Sequence, residues 1–366
     1  MRGSAPGRLD LLGGVADYSG ALVLEMPTRQ GTVVVARPDD AFVVGPAVFS
    51  PAELEDLAGR SYDEVRRELA AFPRWTHYVI GVAIVLVRRG VIVPPAVRLE
   101  ITSDLPASVG VASSAALEVA TARALGAALL DPLRLAALCQ EAENHVVGAP
   151  CGIMDQVAVA LGTPGTVLPI LCRPASAAEP VAVPTGIEIV GWPTGTPHDV
   201  GGLPYELARA AAFMGKRMVE EAAARTWSWV SELPRDAVEE LPDLLDGSAF
   251  LQAGGATGDD VTPVRPDETY PVRAATSFGI EEHARAVAAL EALTDQEPER
   301  LGPLMEASQA GYDAMGLGHP ATTLIVKEAL ARPGVHGARS SGGGCGGTVV
   351  VVCERGALDE VEGLIR

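Results

Sequence analysis

The chain is short of positive charge. Its 366 residues hold 28 Lys and Arg against 47 Asp and Glu, for a formal net charge of −19. Nucleic acids and anionic membranes need a broad basic face that releases counterions, so neither is an expected partner. Any anionic ligand has to be held by local backbone dipoles, a few Arg side chains or a metal ion. The cysteines number five and are scattered at positions 139, 151, 172, 345 and 353. Odd and dispersed, they build neither a disulfide framework nor a paired zinc motif, and reduced thiols in a cytoplasm are expected. The six histidines show no metal-ligand spacing either. No charged-then-apolar leader opens the sequence, and its best apolar run, residues 78–87, is too short to span a bilayer. Internal repeats and coiled-coil heptads are missing as well.

What remains is a composition made for folding. Hydrophobic residues are 48% and charged residues 20% of the chain, which excludes disorder. The length suits two lobes, each with its own core, and the boundary is expected near Val183, giving residues 1–183 and 184–366.

Residues 106–116 read PASVGVASSAA and stand between a β-branched alternating segment, 97–102, and a helical pattern, 113–130. The first turn of a helix offers unpaired N–H groups and the positive end of the helix dipole, and small side chains let an anion approach them. Ser113 or Ser114 acting as an ordinary helix cap explains the same residues. Taken alone, the stretch favours the cap.

Upstream, residues 5–20 read APGRLDLLGGVADYSG, a short apolar strand wrapped in turn residues, in which Arg8 and Asp10 interrupt the apolar run. Strands are expected at 21–26 and 31–36. Ser50-Pro51 with Glu53 carries a capping box and an N-terminal proline, starting a helix that runs to about Leu69. An apolar helix opened by Trp75 and Tyr78 ends near Arg89. Asp131-Pro132 starts another helix over 133–147. The following CGIMDQ places Asp155 beside an amide in the first turn of the next, apolar helix, where a carboxylate is half-buried or complements the helix dipole. Glu143, twelve residues earlier, either flanks the same cavity or, as spacing alone favours, lies on the surface.

Strands at 165–171 and 187–192 lead to a loop, 193–202, and to a helix over 203–224 with Tyr205 in its first turn and Arg209 one turn later. Residues 228–270 are rich in Asp, Glu, Pro and Gly without sustained periodicity, and no chemistry is assigned to them. Helical patterns resume at 280–293, 297–314 and 320–331. Near the end, residues 342–347 read GGGCGG ahead of a buried-looking strand, 348–353. Glycine is entropically costly to order, so either the backbone turns sharply there or something approaches it closely, and close approach is the better account of so many.

These three glycine-bearing stretches, in this order and spacing, resemble the three motifs of the GHMP small-molecule kinases. Within that superfamily APGRLDLLGG…DYSG resembles the galactokinase signature, and CGIMDQ is typical of the sugar kinases of that branch. The stretches LPYELARAAAFMGKRM, YPVRAATSFGIEEH and GLGH, and the GGVADYSG of the first motif, look more like L-arabinokinases. Galactokinases carry Glu-His where this chain has Gly14-Val15. L-Arabinopyranose has the ring stereochemistry of D-galactopyranose without the C6 hydroxymethyl group, so a site for it needs no side chains reaching that group.

The resemblance implies an α+β, two-lobed fold, with a ribosomal protein S5 domain 2-like N-terminal lobe and a ferredoxin-like C-terminal lobe. It implies an ATP-dependent kinase for the anomeric hydroxyl of a sugar: L-arabinose first, galactose, a heptose or a modified hexose as alternatives, and a catalytically silent sugar sensor as a different class. Asp155 and Arg8 would be catalytic. Pro106, Gly110, Val111, Ala112, Ser113, Ser114 and Ala115 would wrap the ATP phosphates without a Walker lysine, and Ser114, or its neighbour Ser113, and Glu143 would hold Mg²⁺. Arg8, Gly14, Val15, Asp17, Gly152, Asp155, Tyr205, Gly343 and Gly344 would meet the sugar. The partners implied are sugar and ATP alone, in a monomer or weak homodimer.

Overall fold

The structure, a computed structural model, describes residues 1–196 and 202–366. Five residues of the expected 193–202 loop lie outside the described residues. Backbone contacts divide the chain into two discontinuous compact units. One comprises Met1–Arg8, Pro27–Ala107 and Ala112–Pro164, and the other Leu9–Met26, Ser108–Val111 and Gly165–Arg366.

The first unit is a layer of helices with mainly antiparallel strands, Phe42–Val44 running parallel to Val97–Ser103. The strand Val97–Ser103 pairs with the second half of the long strand Leu22–Pro38, in register from Thr32↔Ser103 to Pro38↔Val97. Residues 21–26 and 31–36, expected as two strands, are thus parts of one. On the helical side Pro51–Gly59 and Tyr62–Leu69 replace the single expected helix. Ser50 and Ser61 each form a full capping box, with Glu53 and Glu64, and the second cap restarts the chain in a new direction. The helix Arg74–Arg88 is buried over nearly its whole length, with Val79, Ile80 and Ile84 at 0% exposure. It packs on the helix Ser113–Ala124 and on Ala142–Val147, where Gly81 lets Val146 approach: a Cβ there would stand 3.1 Å from that side chain. The helix predicted over 113–130 ends early because Gly126 (φ 106) turns the chain, leaving only a short 3-10 turn beyond. The helix predicted over 133–147 is α-helical over Pro132–Glu141, with Asp131 accepting from the Arg134 amide, and π-helical over Ala142–Val147.

The second unit is built on a three-stranded antiparallel sheet. Thr348–Glu354 lies at its centre, between Val335–Ser340 and Ile187–Pro193. A central strand covered on both faces needs apolar residues at successive positions, and Val349–Val352 supplies four, all at 0% exposure. The helices Leu203–Ala223 and Val272–Thr294 pack side by side, and Leu301–Ala314 lies on Val335–Ser340. Helices and antiparallel strands occupy separate stretches, the α+β arrangement expected from the sequence.

Ile84→Ala should lower the unfolding free energy in urea by about 3 kcal/mol, the usual cost of emptying a closed apolar site. Ile92→Ala, at a side chain 92% exposed, should change it by less than about 0.5 kcal/mol.

Candidate functional site

The first unit gathers the expected catalytic and metal-binding residues around a set of buried carboxylates. Asp155 stands in the first turn of the helix Met154–Leu161. Arg8 reaches it from the first strand, donating from Nε at 2.9 Å and Nη2 at 2.6 Å, both to Oδ1. Arg8 is buried, and the Asp155 side chain keeps 22% exposure, the half-buried state expected of it. Glu143 is a correction. Spacing favoured the surface, but it is 4% exposed, on the inner side of the π-helical segment. Gln156, the amide beside Asp155, donates from one nitrogen to Glu143 at 2.6 Å and to Glu118 at 3.2 Å.

Glu118 escaped the sequence reading. It sits in the middle of Ser113–Ala124 at 0% exposure, and burial, with Glu143 as second cause, holds its pKa well above the ordinary carboxylate value. Burial and then the Asp155 charge push Glu143 up to about 7, while hydrogen bonds from Ser114, Cys151 and Gln156 work in the opposite direction. The signal for Glu118 was in the sequence: one acid inside AALEVATA, a run otherwise without charge. Gly152 is buried next to Cys151, whose amide and carbonyl are both tied to Asn144.

Three non-consecutive residues of the small-residue loop have left-handed backbone: Ser108 (φ 56), Gly110 (φ 75) and Ala112 (φ 55). Ala112, not a serine, occupies the N-cap position, and no side chain caps Ser113–Ala124. The serine-cap explanation therefore fails, and the first-turn amides at Ser113, Ser114 and Ala115 are left without a side-chain partner at the cap.

The donor set fits Mg²⁺. Glu143 and Ser114 offer hard oxygen donors, and Glu143 is a buried carboxyl with the Asp155 charge nearby. Among the described residues no three acidic, His or Cys side chains form a ready metal cage. Mg²⁺ ordinarily takes only one or two carboxylates and finds its other ligands in phosphate and water.

The second unit holds most of the expected sugar contacts. Gly14 and Val15 begin a 3-10 turn that ends at Ser19, and Gly20 closes it in left-handed conformation (φ 75). Asp17 is 4% exposed and accepts from the Tyr18 amide at 2.6 Å. Tyr205 lies edge-on to Tyr18, with centroids 6.1 Å apart. Arg209 lies 5.4 Å over the Tyr18 ring and forms a bidentate pair with Asp259, both contacts 3.0 Å. The acidic segment to which no chemistry was assigned thus supplies a buried counter-charge. Nothing marked Asp259 among its many acidic neighbours.

The GGGCGG run turns sharply. Gly342, Gly344, Gly346 and Gly347 have positive φ, as does Cys345 (φ 57). Close approach applies at Gly344, where a Cβ would stand 2.6 Å from the Leu317 carbonyl. Gly344 thus combines a sharp turn with a close approach. Just beyond, Thr348 donates to the Val109 carbonyl at 2.7 Å, tying the start of the strand to the small-residue loop. All five cysteines are free thiols, and no helix among the described residues is long and apolar enough to cross a membrane.

Comparison with known proteins places this geometry in a family. Residues 77–163 match the GHMP kinases N terminal domain and residues 289–363 the GHMP kinases C terminal domain, while residues 2–38 match the galactokinase galactose-binding signature. The chain belongs to the GHMP kinases and is a sugar kinase of the galactokinase type. It is 34% identical to the galactokinase of Chloroflexus aggregans over 97% of its length and 84% of the relative's. It is 30% identical to the L-arabinokinase of Arabidopsis thaliana over 95% of its length, spanning only 42% of that larger protein. The Lactococcus lactis galactokinase complexed with galactose has the same fold, with a TM-score of 0.78 at 21% identity, covering 98% of this chain and 87% of that one.

The carboxylate cluster has a pH signature. A carboxyl whose folded pKa lies above its unfolded value stays protonated while the unfolded chain ionises, so its contribution to stability is complete below about 4.5 and is lost as pH rises toward about 7. In metal-free buffer the wild-type protein should therefore lose melting temperature between pH 5 and 8 more steeply than Glu143→Gln. Parallel profiles would exclude Glu143 as the titrating group.

Proposed function

We propose that this chain phosphorylates the anomeric hydroxyl of a galactose-configured sugar with ATP as donor, and that its preferred sugar is L-arabinose. The Arg8–Asp155 pair carries the chemical part of the reading. The sugar hydroxyl attacks the terminal phosphorus of ATP, the bond to ADP breaks, and the hydroxyl proton passes to the Asp155 carboxylate. Arg8 holds Oδ1 from two nitrogens and so restrains the carboxylate. The amides of Ser113, Ser114 and Ala115 serve the phosphates. Mg²⁺, when bound at Glu143 and Ser114, supplies charge neutralisation on those phosphates. Phosphoryl transfer asks little else of a protein beyond positioning and electrostatics.

The choice of sugar rests on Gly14. In galactokinases a side chain stands at this position, whereas here the residue is glycine in left-handed conformation (φ 48), and the Tyr312 hydroxyl lies 1.8 Å from where a Cβ would be. A site that offers backbone at this point suits a pentose lacking the C6 hydroxymethyl group. The similarity to a bacterial galactokinase over nearly the whole chain favours D-galactose as the second reading.

Sugar-dependent ADP release measured with L-arabinose, D-galactose and heptoses should give the highest kcat/KM for L-arabinose. A higher value for D-galactose would make the chain a galactokinase, and nucleotide binding without transfer to any sugar would make it a sensor. Asp155→Asn should reduce turnover at least about a thousandfold, as expected when a positioned base is lost, with ATP affinity unchanged by equilibrium binding. Full activity in that variant would remove Asp155 from the reaction.

A further inference from the structure

Three consecutive backbone N–H groups of the first glycine motif end on three buried side chains. Gly13 donates to Glu282 at 3.0 Å, Gly14 to Asp10 Oδ1 at 3.0 Å and Val15 to the Tyr312 hydroxyl at 3.1 Å. Glu282, Asp10 and Tyr312 are each 0% exposed. Two of the three acceptors also hold the last glycine motif. Asp10 Oδ2 accepts from the Gly342 amide at 3.0 Å and from Arg339 at 2.9 Å, and the Tyr312 hydroxyl donates to the Gly342 carbonyl at 2.5 Å. Ser341 completes the arrangement by accepting from the Asp10 amide at 3.0 Å.

We propose that Asp10 and Tyr312 form a latch that joins the Gly14-Val15 turn to Gly342, and that Tyr312 is thereby a positioning residue for sugar selectivity. The proposal rests on the sugar-kinase reading of Gly14 and Val15 given above. Each latch residue touches the first loop at a backbone amide, Gly14 for Asp10 and Val15 for Tyr312, and the last loop at a peptide group of Gly342, so neither loop can shift without breaking a buried hydrogen bond. Arg339, fully buried, balances Asp10 and lies 4.9 Å over the Tyr312 ring, leaving its Nε and Nη2 without a hydrogen-bond acceptor. The guanidinium is thus held by charge and ring face, and it fixes the phenol whose hydroxyl makes the bridge. Burial raises the Tyr312 pKa, so the hydroxyl stays protonated and able to donate to Gly342. Gly14 belongs to the same device: its missing Cβ leaves room for that hydroxyl.

Tyr312→Phe tests the latch with little disturbance of packing, because the ring keeps its edge contact with Phe278, centroids 5.4 Å apart, and its place under Arg339. Breaking a bridging hydrogen bond at both ends should raise the KM for L-arabinose about tenfold and lower the preference over D-galactose, with the KM for ATP unchanged. A lower melting temperature with unaltered sugar constants and unaltered preference would overturn the proposal in favour of a purely structural tyrosine. Gly14→Ala supplies an independent arm. It should be damaging in the wild-type background and distinctly less so beside Tyr312→Phe, where the colliding hydroxyl is gone; strictly additive effects would also count against the latch. If Tyr312→Phe does not fold, Ser341→Ala, which removes only the acceptor of the Asp10 amide, should shift the same sugar constants in the same direction, and unchanged constants overturn the proposal. Should the wild type phosphorylate neither sugar, the substrate reading fails separately, and the latch is decided by hydrogen exchange. Tyr312→Phe should then speed exchange at Val15 while leaving the Val349–Val352 strand protected, and unchanged exchange at Val15 overturns it.

Discussion

Charge buried away from water has to be compensated, and the functional parts of this chain are arranged around that necessity. An isolated ion in a protein interior costs several kcal/mol even after relaxation, so it is paired, hydrogen-bonded or neutralised by a proton. The two units meet the demand differently. In the second, Asp10 faces Arg339 and also accepts from backbone amides, and both are fully buried. In the first, Glu143 and Glu118 have one shared amide, that of Gln156, and no buried cation between them, so both are pushed toward the neutral form. One arrangement is complete by itself. The other is balanced mainly by burial in the neutral form and by hydrogen bonds from Ser114, Cys151 and Gln156.

That contrast separates what the sequence discloses from what it conceals. The three glycine-bearing motifs were legible because their residue types carry steric meaning at fixed places: left-handed φ at Gly342 and Gly344, and an open helix start after Ala112. Caps were equally readable, since the Ser50 and Asp131 side chains act on amides only three residues away. Helix ends were harder, because Gly126 and a second capping box at Ser61 break helical patterns that continue in composition beyond them. Glu143 misled because an acid near a helix end is usually solvated, although it stands one turn beyond Cys139 on an apolar face. Asp259 could not be found at all: its partner Arg209 is 50 residues away, and the segment around it has no period that would orient one acid inward.

Peptide groups make many of the buried polar contacts around the glycine motifs. The latch holds backbone by backbone-directed contacts, and the first-turn amides of Ser113–Ala124 offer dipoles where a lysine might be expected. Lysine occurs only at positions 216 and 327. Dipoles fixed by a helix need no reorganisation when charge arrives, whereas a lysine must be ordered and desolvated first.

The strongly acidic surface then has a definite consequence for the anionic donor. A net charge of −19 disfavours ATP at long range, but at physiological salt the field decays over roughly 8 Å, so the penalty is spread thinly over the approach. Inside the site the balance reverses, because the helix dipole acts at contact distance, where screening is weak. A nucleotide carrying its own divalent cation arrives with less charge to repel. The acidic composition therefore favours approach of a metal-bound nucleotide over the bare anion.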